Sequence, residues 1–202
     1  MKNLLVILVI LIGTTLTVRA QSIELFGGNK NFQGDIQWLK PFAVNSKFLF
    51  FNRNRFTADY NNNTTYFISG ITAYEIKNGV GVANEMLITS EGWMPKLGTQ
   101  YLKKSENTMI YAWLNCGYLK EFKYHLFSFI RFQPPINTKW NWYLQLELVA
   151  NFNQYGNEFS AQRPRIGVSN KYFQVGMASD FTQSGANWNL DLNTGIFLRK
   201  EF

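Results

Sequence analysis

Cysteine and histidine are almost missing from this sequence, which has one of each in 202 residues. The single cysteine, Cys116, has no partner in the chain, so neither an internal disulfide nor a cysteine-based zinc site can form. The single histidine, His125, argues against a histidine-rich metal site as well. We therefore predict no metal and no cofactor, and a stability that comes from something other than disulfides.

Charged residues are also scarce, at 16% of the chain, against about 25% in ordinary soluble domains. The formal net charge is +7, but the basic residues are scattered and never form a run of five like charges. A nucleic-acid partner would be indicated by a clustered basic patch, so none is predicted. Aromatic residues reach 17%, which makes the chain rich in apolar surface for so few charges.

Long hydrophobic runs are limited to the N-terminus, where 4–12 are nine consecutive apolar residues. Such a run is too short for a membrane-spanning helix, which needs about 20 residues. With the Val-Arg-Ala sequence of 18–20 it fits a secretory signal peptide cleaved after Ala20, and an uncleaved N-terminal anchor is the alternative. Residues 1–20 are therefore predicted to be a signal peptide, and 21–202 a single domain.

Alternation of apolar and polar residues is the main feature of the remaining chain. It is clearest in 139–153, where the residues between the apolar ones are mostly polar. One face of this segment carries Trp140, Trp142, Leu144, Leu146, Leu148, Ala150 and Phe152. At roughly 3.3 Å per residue and a tilt near 40°, a strand of this length crosses the hydrocarbon layer of a membrane.

The C-terminal segment repeats the alternation and ends on an aromatic residue. Its apolar face carries Trp188, Leu190, Leu192, Ile196, Leu198 and Phe202. An alternating last strand that closes with phenylalanine resembles that of the bacterial outer-membrane β-barrel proteins. The resemblance implies recognition by the barrel-insertion machinery and a location in the outer membrane of a Gram-negative bacterium. Lys200 departs from the pattern, because an apolar or aromatic residue is usual there.

Turn signals divide the domain into short alternating segments. Candidate strands occupy 33–42, 46–60, 64–77, 80–91, 97–104, 107–119, 123–133, 139–153, 158–169, 171–182 and 187–202. The Lys-Asn-Gly sequence of 77–79 predicts a tight hairpin, and Trp93-Met94-Pro95 is predicted to lie in a long loop. An even strand number is expected, so either 97–104 belongs to a loop or 22–28 supplies a twelfth strand. The predicted fold is an all-β, antiparallel up-and-down transmembrane β-barrel of about 10–12 strands.

Charged residues on the predicted inward faces form the candidate site. In a small barrel these side chains meet across the lumen, where buried charges have to pair. Arginine suits such pairs and also suits carboxylate or phosphate ligands, because its guanidinium binds them through two parallel hydrogen bonds. The candidate lumen residues are Arg53, Arg55, Glu85, Arg131, Glu147, Arg163, Arg165, Asp180, Asp191 and Arg199. They form either a structural set of mutually paired charges or a polar pathway or ligand site.

Three of these residues, Arg131, Glu147 and Arg163, fall on successive candidate strands. The spacing predicts a charge ladder across the lumen, with the glutamate between two arginines. A barrel of ten to twelve strands encloses packed side chains or a narrow cavity and not a wide channel.

Catalysis would depend on His125, since serine–histidine chemistry needs a histidine beside the nucleophile. Ser128 is three positions further on, so in a strand it faces the opposite side. No motif of a lipid hydrolase or acyltransferase accompanies His125, although a serine from a neighbouring strand would supply the missing group. We therefore predict a non-catalytic protein.

Three functional hypotheses follow. The leading one is an integral outer-membrane β-barrel that serves as a narrow channel, a small-ligand binder or a structural envelope protein. Its partners would be membrane lipid, the outer-membrane insertion machinery and a small solute. The second is a soluble periplasmic or secreted β-barrel that carries an apolar ligand, with its apolar faces turned inward. The third is a lipid-modifying membrane-barrel enzyme.

Overall fold

The computed structural model describes residues 21–61, 63–90 and 92–202, which form one closed antiparallel barrel. Its twelve strands within these residues are β1 (Gln21–Gly28), β2 (Asn31–Pro41), β3 (Phe48–Asp59), β4 (Thr64–Lys77), β5 (Val80–Thr89), β6 (Gly92–Lys104), β7 (Thr108–Leu119), β8 (Glu121–Phe132), β9 (Asn141–Asn153), β10 (Gly156–Ser169), β11 (Gln174–Ser184) and β12 (Asn189–Glu201). Each strand pairs with the next along the chain, and β1 pairs with β12 to close the sheet. The predicted up-and-down barrel is confirmed, and the predicted signal peptide lies outside the described residues. None of the described residues forms a helix long and apolar enough to cross a membrane.

The sequence leaves the number of strands open because 22–28 and 97–104 can each be a strand or a loop. Both segments are strands in the structure. Residues 22–28 belong to β1, and 97–104 belong to β6. The prediction of a loop at Trp93-Met94-Pro95 is wrong, because β6 begins at Gly92. The ladder between β6 and β7 begins only at Lys96, so Pro95 is paired with β5 alone. That is the kind of strand position at which a missing N–H group is tolerated.

The connections between strands are short at both ends of the barrel. We call the end with residues 21 and 201 the near end, and the opposite end the far end. Connections at the far end have at most four residues, and the longest at the near end is 133–140. The hairpin predicted at 77–79 is confirmed, since Asn78 and Gly79 both have positive φ angles, 52° and 83°, as a two-residue type I′ turn requires. With no long loop among the described residues to fold inward, only inward side chains can close the lumen.

The side chains of β9 show which face of the barrel is apolar. Trp142 and Leu146 are 48% and 41% exposed on the outside, whereas Tyr143 and Glu147 are 0% and 2% exposed on the inside. The soluble carrier requires the reverse, with the tryptophan and leucine residues lining a cavity. The orientation therefore supports the membrane barrel and not the soluble carrier.

Aromatic side chains are exposed near both rims of the outer surface. They are Trp93, Tyr118, Phe122 and Trp188 at the far end and Phe48, Tyr74, Trp142 and Phe202 at the near end. Membrane barrels carry such aromatic girdles where the hydrocarbon layer meets the headgroups. The outer surface thus has an apolar band with a girdle of aromatic side chains at each rim, as a membrane-spanning barrel requires.

Replacing Leu146 with arginine should lower the amount of folded barrel in membranes. Leu146 is the sixth of the thirteen residues of β9, and an arginine facing lipid at the bilayer midplane costs about 2–4 kcal/mol. The measurement is the quantity of folded protein in the outer-membrane fraction, with Leu146→Phe as the matched apolar control. Equal yields for the two variants would show that Leu146 does not face lipid.

Candidate functional site

The charged side chains inside the barrel form one connected set, which we call the arginine network. It links residues from β1, β2, β3 and β8–β12 through consecutive ion pairs. Its members are Glu24, Asp35, Arg53, Arg55, Arg131, Glu147, Arg163, Arg165, Asp180, Arg199 and Glu201. Every arginine among residues 21–202 belongs to it. Six arginines meet five carboxylates, so the network carries one excess positive charge.

Glu147 is the centre of this network. One carboxylate oxygen lies 2.7 Å from Nη2 of Arg53, and the other lies 2.6 Å from Nη1 of Arg163. Because β3 and β9 are six strands apart in a ring of twelve, the pair of Arg53 and Glu147 crosses the lumen. Asp35 holds the other side of Arg53 at 2.6 Å and also contacts Arg55 at 2.5 Å. A bridge of alternating charges therefore spans the barrel from wall to wall.

A second arm of the network runs along the wall formed by β10, β11, β12 and β1. Arg165 lies 2.8 Å from Asp180 and 3.1 Å from Glu24. Arg199 continues the chain from Glu24, at 3.5 Å, to Glu201, at 3.4 Å. Almost all of these side chains are buried, and each charge has at least one opposite partner, as burial of a charge demands.

The predicted site residues divide into three groups. Eight of them belong to the arginine network: Arg53, Arg55, Arg131, Glu147, Arg163, Arg165, Asp180 and Arg199. Glu85 belongs to a separate cluster on the opposite wall. Asp191 is half-exposed at the far rim, where it pairs with Lys30. Both residues lie away from the bridge across the lumen.

The predicted ladder of Arg131, Glu147 and Arg163 is wrong in one of its two contacts. Glu147 pairs with Arg163, but Arg131 contacts Gln145 at 2.9 Å and Glu201 at 2.7 Å. The reason is register, since β8 and β9 align Arg131 with Gln145 and not with Glu147. Glu147 turns instead to Arg53 across the lumen.

Three carboxylates of the network were missed from the sequence: Glu24, Asp35 and Glu201. Glu24 lies in β1, a strand that the turn signals left undecided. Asp35 could have been found, because it stands between Gln33 and Gln37 on one face of the predicted strand 33–42. Glu201 shares the inward face of β12 with Arg199, which was identified.

Glu85 organises the separate cluster on β4–β8. Its carboxylate accepts hydrogen bonds from Ser69 Oγ at 2.6 Å and Trp113 Nε1 at 3.0 Å, and Lys96 Nζ lies 3.6 Å away. Asn115 Nδ2 also donates to Glu85, at 3.3 Å, and lies 3.1 Å from His125 Nδ1. His125 therefore contacts an amide, and it forms no hydrogen bond to a serine within the described residues. Those residues also contain no group of three His, Cys, Asp or Glu side chains that could hold a metal ion.

Aromatic side chains fill the part of the lumen that the arginine network leaves open. Phe51 stacks on Phe127 with ring centroids 6.0 Å apart, and Tyr111 packs edge-on against Phe51 at 5.2 Å. Tyr111 and its neighbour Trp113 are completely buried. The guanidinium of Arg53 lies 5.0 Å from the centroid of the Phe127 ring, which joins the aromatic half to the ionic half. We call this closed cross-section the waist.

Two cavities lie on either side of the waist. The far vestibule has a volume of about 600 Å³, and Arg53, Arg55 and Arg163 are among its lining residues. The near vestibule, of about 380 Å³, is lined partly by Arg131 and Arg199. Phe51 lines both cavities, so it lies at the boundary between them. The lumen is thus a narrow path interrupted by side chains and not by a loop.

Two guanidinium nitrogens of the network are buried without a full set of hydrogen bonds. Nη1 of Arg55 has no hydrogen-bond partner, and Nε of Arg163 has only the carboxylate of Asp180, at 3.4 Å. Both residues line the far vestibule. Buried donors of this kind are costly unless an acceptor approaches them. The far vestibule is therefore lined by arginines whose hydrogen bonds are incompletely satisfied, and these arginines belong to a network with one excess positive charge.

Solved outer-membrane porins share this fold. A structure of the NanC porin in a rhombohedral crystal form has a TM-score of 0.56 and 9% identity, over 91% of this chain and 100% of the porin chain. The KdgM porin has a TM-score of 0.51 and 8% identity, over 90% of this chain and 98% of the porin. A second KdgM structure, in complex with disordered oligogalacturonate, has a TM-score of 0.51 and 9% identity, with coverage of 90% and 98%. The chain matches no protein-family model and no curated protein sequence.

Replacing Glu147 with glutamine should destabilise the barrel strongly. The change leaves Arg53 and Arg163 without their shared counter-charge, and breaking a buried ion pair from one side typically costs about 3–5 kcal/mol. The free energy of unfolding can be measured with urea in lipid vesicles by tryptophan fluorescence. Asp191→Asn is the matched control, because its pair with Lys30 is half-exposed and such pairs contribute about 0–1 kcal/mol. Similar losses in both variants would show that the network is not the main ionic stabiliser.

Proposed function

We propose that this protein is an integral outer-membrane β-barrel that acts as a narrow, non-catalytic channel for small solutes. The observation that carries the proposal is the pair of vestibules that meet at the waist, where Phe51 lines both. The shared fold with the NanC and KdgM porins supports it. The apolar outer band supports the membrane location, with lipid as the surrounding partner and the outer-membrane insertion machinery as the partner during assembly.

The charge of the waist favours small anions as the solute. Five of the six arginines in residues 21–202 line one of the two vestibules, and the six exceed the carboxylates of the network by one. The buried Nη1 of Arg55, which has no hydrogen-bond partner, supports the same preference. One of the compared porins was solved with oligogalacturonate, which is an anion, and this agrees with the proposal.

The packing of the waist limits the size of the solute. Tyr111, Trp113 and Arg165 are buried to 2% exposure or less, so the closed waist leaves no wide opening between the vestibules. A solute has to displace the ring of Phe51 or separate an ion pair in order to pass. The channel is therefore expected to conduct weakly and to discriminate against large molecules.

Replacing Arg55 with glutamine should reduce the preference for anions. The change removes the one excess positive charge of the network, while Arg53 still holds Asp35. The measurement is the reversal potential of the purified barrel in a planar bilayer with a KCl gradient. Lys77→Gln, at the exposed hairpin between β4 and β5, removes the same charge outside the lumen and should leave the potential unchanged. A wild-type barrel that adds no conductance to the bilayer would contradict the channel and favour a purely structural role.

Replacing Phe51 with alanine should raise the single-channel conductance several-fold, because the two vestibules would join. Leu39, a partly buried residue packed beside the same aromatic cluster, lines only the near vestibule. Leu39→Ala is therefore the control and should change the conductance little. If both variants conduct like the wild type, the waist is not closed by Phe51.

A further inference from the structure

Lysine residues are distributed unequally between the two ends of the barrel. Of the twelve lysines in 21–202, eight lie at the near end, each exposed and within two residues of the end of a strand. The near-end lysines are Lys40, Lys47, Lys77, Lys103, Lys104, Lys139, Lys171 and Lys200. The far end has Lys30, Lys120 and Lys123, and Lys96 is buried beside Glu85.

Carboxylates show the opposite distribution. Outside the arginine network, the described carboxylates of the near end are those of Glu75 and Glu106. Those of the far end are Asp59, Glu121, Glu158 and Asp191. The described residues of the near end therefore carry six more positive than negative charges, whereas those of the far end carry one more negative than positive charge.

The lysines of the two ends also differ in their partners. At the far end, Lys30 pairs with Asp191, and Lys123 lies 2.9 Å from Glu158. None of the eight near-end lysines forms an ion pair with a described residue. The carboxylate of Glu75 instead accepts a hydrogen bond from the backbone N–H of Gly79, at 2.9 Å. The near-end ammonium groups are therefore open to an anion from outside the barrel.

These lysines surround the barrel and do not form one cluster. Lys104 lines the near vestibule, and we call the other seven the lysine ring. Each of the five near-end connections has a member of the ring within two residues, and Lys200 lies on β12, beside the seam with β1. The connections are 42–47, 78–79, 105–107, 133–140 and 170–173. Single positive charges are thus spaced around the whole circumference.

Members of the ring that lie on strands point away from the lumen. Lys200 stands between Arg199 and Glu201, which belong to the arginine network. Lys40 stands between two residues of β2 that line the near vestibule. Because side chains alternate along a strand, both lysines face the surroundings of the barrel.

The lysine ring lies at the level of the near aromatic girdle. Nζ of Lys200 is 4.7 Å from the ring centroid of Phe202, and Nζ of Lys47 is 6.0 Å from that of Tyr74. Phe202 and Tyr74 belong to this girdle, which marks where hydrocarbon meets headgroups. A lysine at this height lays its aliphatic stem along apolar surface and places its ammonium group among the headgroups.

We propose that the lysine ring binds the phosphate groups of anionic phospholipids in the membrane leaflet at the near end. An ammonium group binds phosphate as a point charge, and basic residues at a membrane surface attract anionic lipids. Separate single charges fit headgroups that each carry one phosphate and a net negative charge. A zwitterionic headgroup already neutralises its own phosphate. The proposal rests on the membrane location of the barrel and not on its being a channel.

Lipid retention tests this preference. The full barrel is reconstituted in vesicles of equal parts phosphatidylglycerol and phosphatidylethanolamine and then extracted in mild detergent. Native mass spectrometry should show phosphatidylglycerol several-fold enriched among the lipids that remain bound. High salt during extraction should abolish the enrichment, because exposed charges are screened. A wild-type barrel that retains both lipids equally would overturn the proposal.

A triple variant locates the preference at the near end. Lys40→Gln, Lys47→Gln, Lys200→Gln should lower the enrichment about two-fold or more, and the barrel should still fold because these exposed lysines form no ion pair with a described residue.

Lys30→Gln, Lys120→Gln, Lys123→Gln is the matched control, because it removes the same charge from the far end. Its enrichment should equal that of the wild type. Folding of both variants is checked by their slower or faster migration in gels without heating. Equal losses in the two triple variants would show that net charge, and not the lysine ring, selects the lipid, and an unchanged near-end variant would also contradict the proposal.

Discussion

The ion pair between Arg53 and Glu147 is the interaction on which the interior depends. A barrel in a membrane turns its apolar residues outward, so its charged residues have no place except the lumen or the rims. There they lose much of their hydration, and only opposite charges at hydrogen-bond distance offset that loss. Arg53 and Glu147 meet at 2.7 Å from opposite walls. They fix the distance across the lumen as well as neutralising each other.

This constraint also explains why the waist has two unlike halves. The ionic half needs carboxylates and arginines in alternation, and β8–β12 and β1–β3 supply them. The other half has fewer charges, and bulky rings from β3, β7 and β8 fill the remaining space. Arg53 belongs to both halves, because its guanidinium contacts Asp35 and Glu147 and also lies over the Phe127 ring. The short connections make this filling necessary, since no long loop is present in the described part of the chain to fold into the waist.

Much of the fold could be predicted from the sequence, because alternation reports directly which side of a strand faces lipid. The segments that remained open were those with weak alternation or an apparent strand breaker, such as 22–28 and Pro95. The side of the barrel on which a charge lies follows from the same alternation, as Glu147 and Arg165 illustrate. The ion-pair partner of a charge does not follow from the alternation, because Arg53 and Glu147 are 94 positions apart. Their contact depends on the strand number and the register around the whole ring.

The choice between arginine and lysine separates the interior from the rims. All six arginines of the described chain are in the network, whereas Lys30, Lys77 and Lys120 lie at the ends of strands or in turns. A guanidinium can hold two carboxylates at once through its planar fork, as Arg165 holds Asp180 and Glu24, whereas an ammonium is a single strongly hydrated point charge. Lys96 is a buried lysine, and it has the single carboxylate of Glu85 as its partner. A bridge across the lumen therefore requires arginine, and the arginine positions in the sequence mark where it runs.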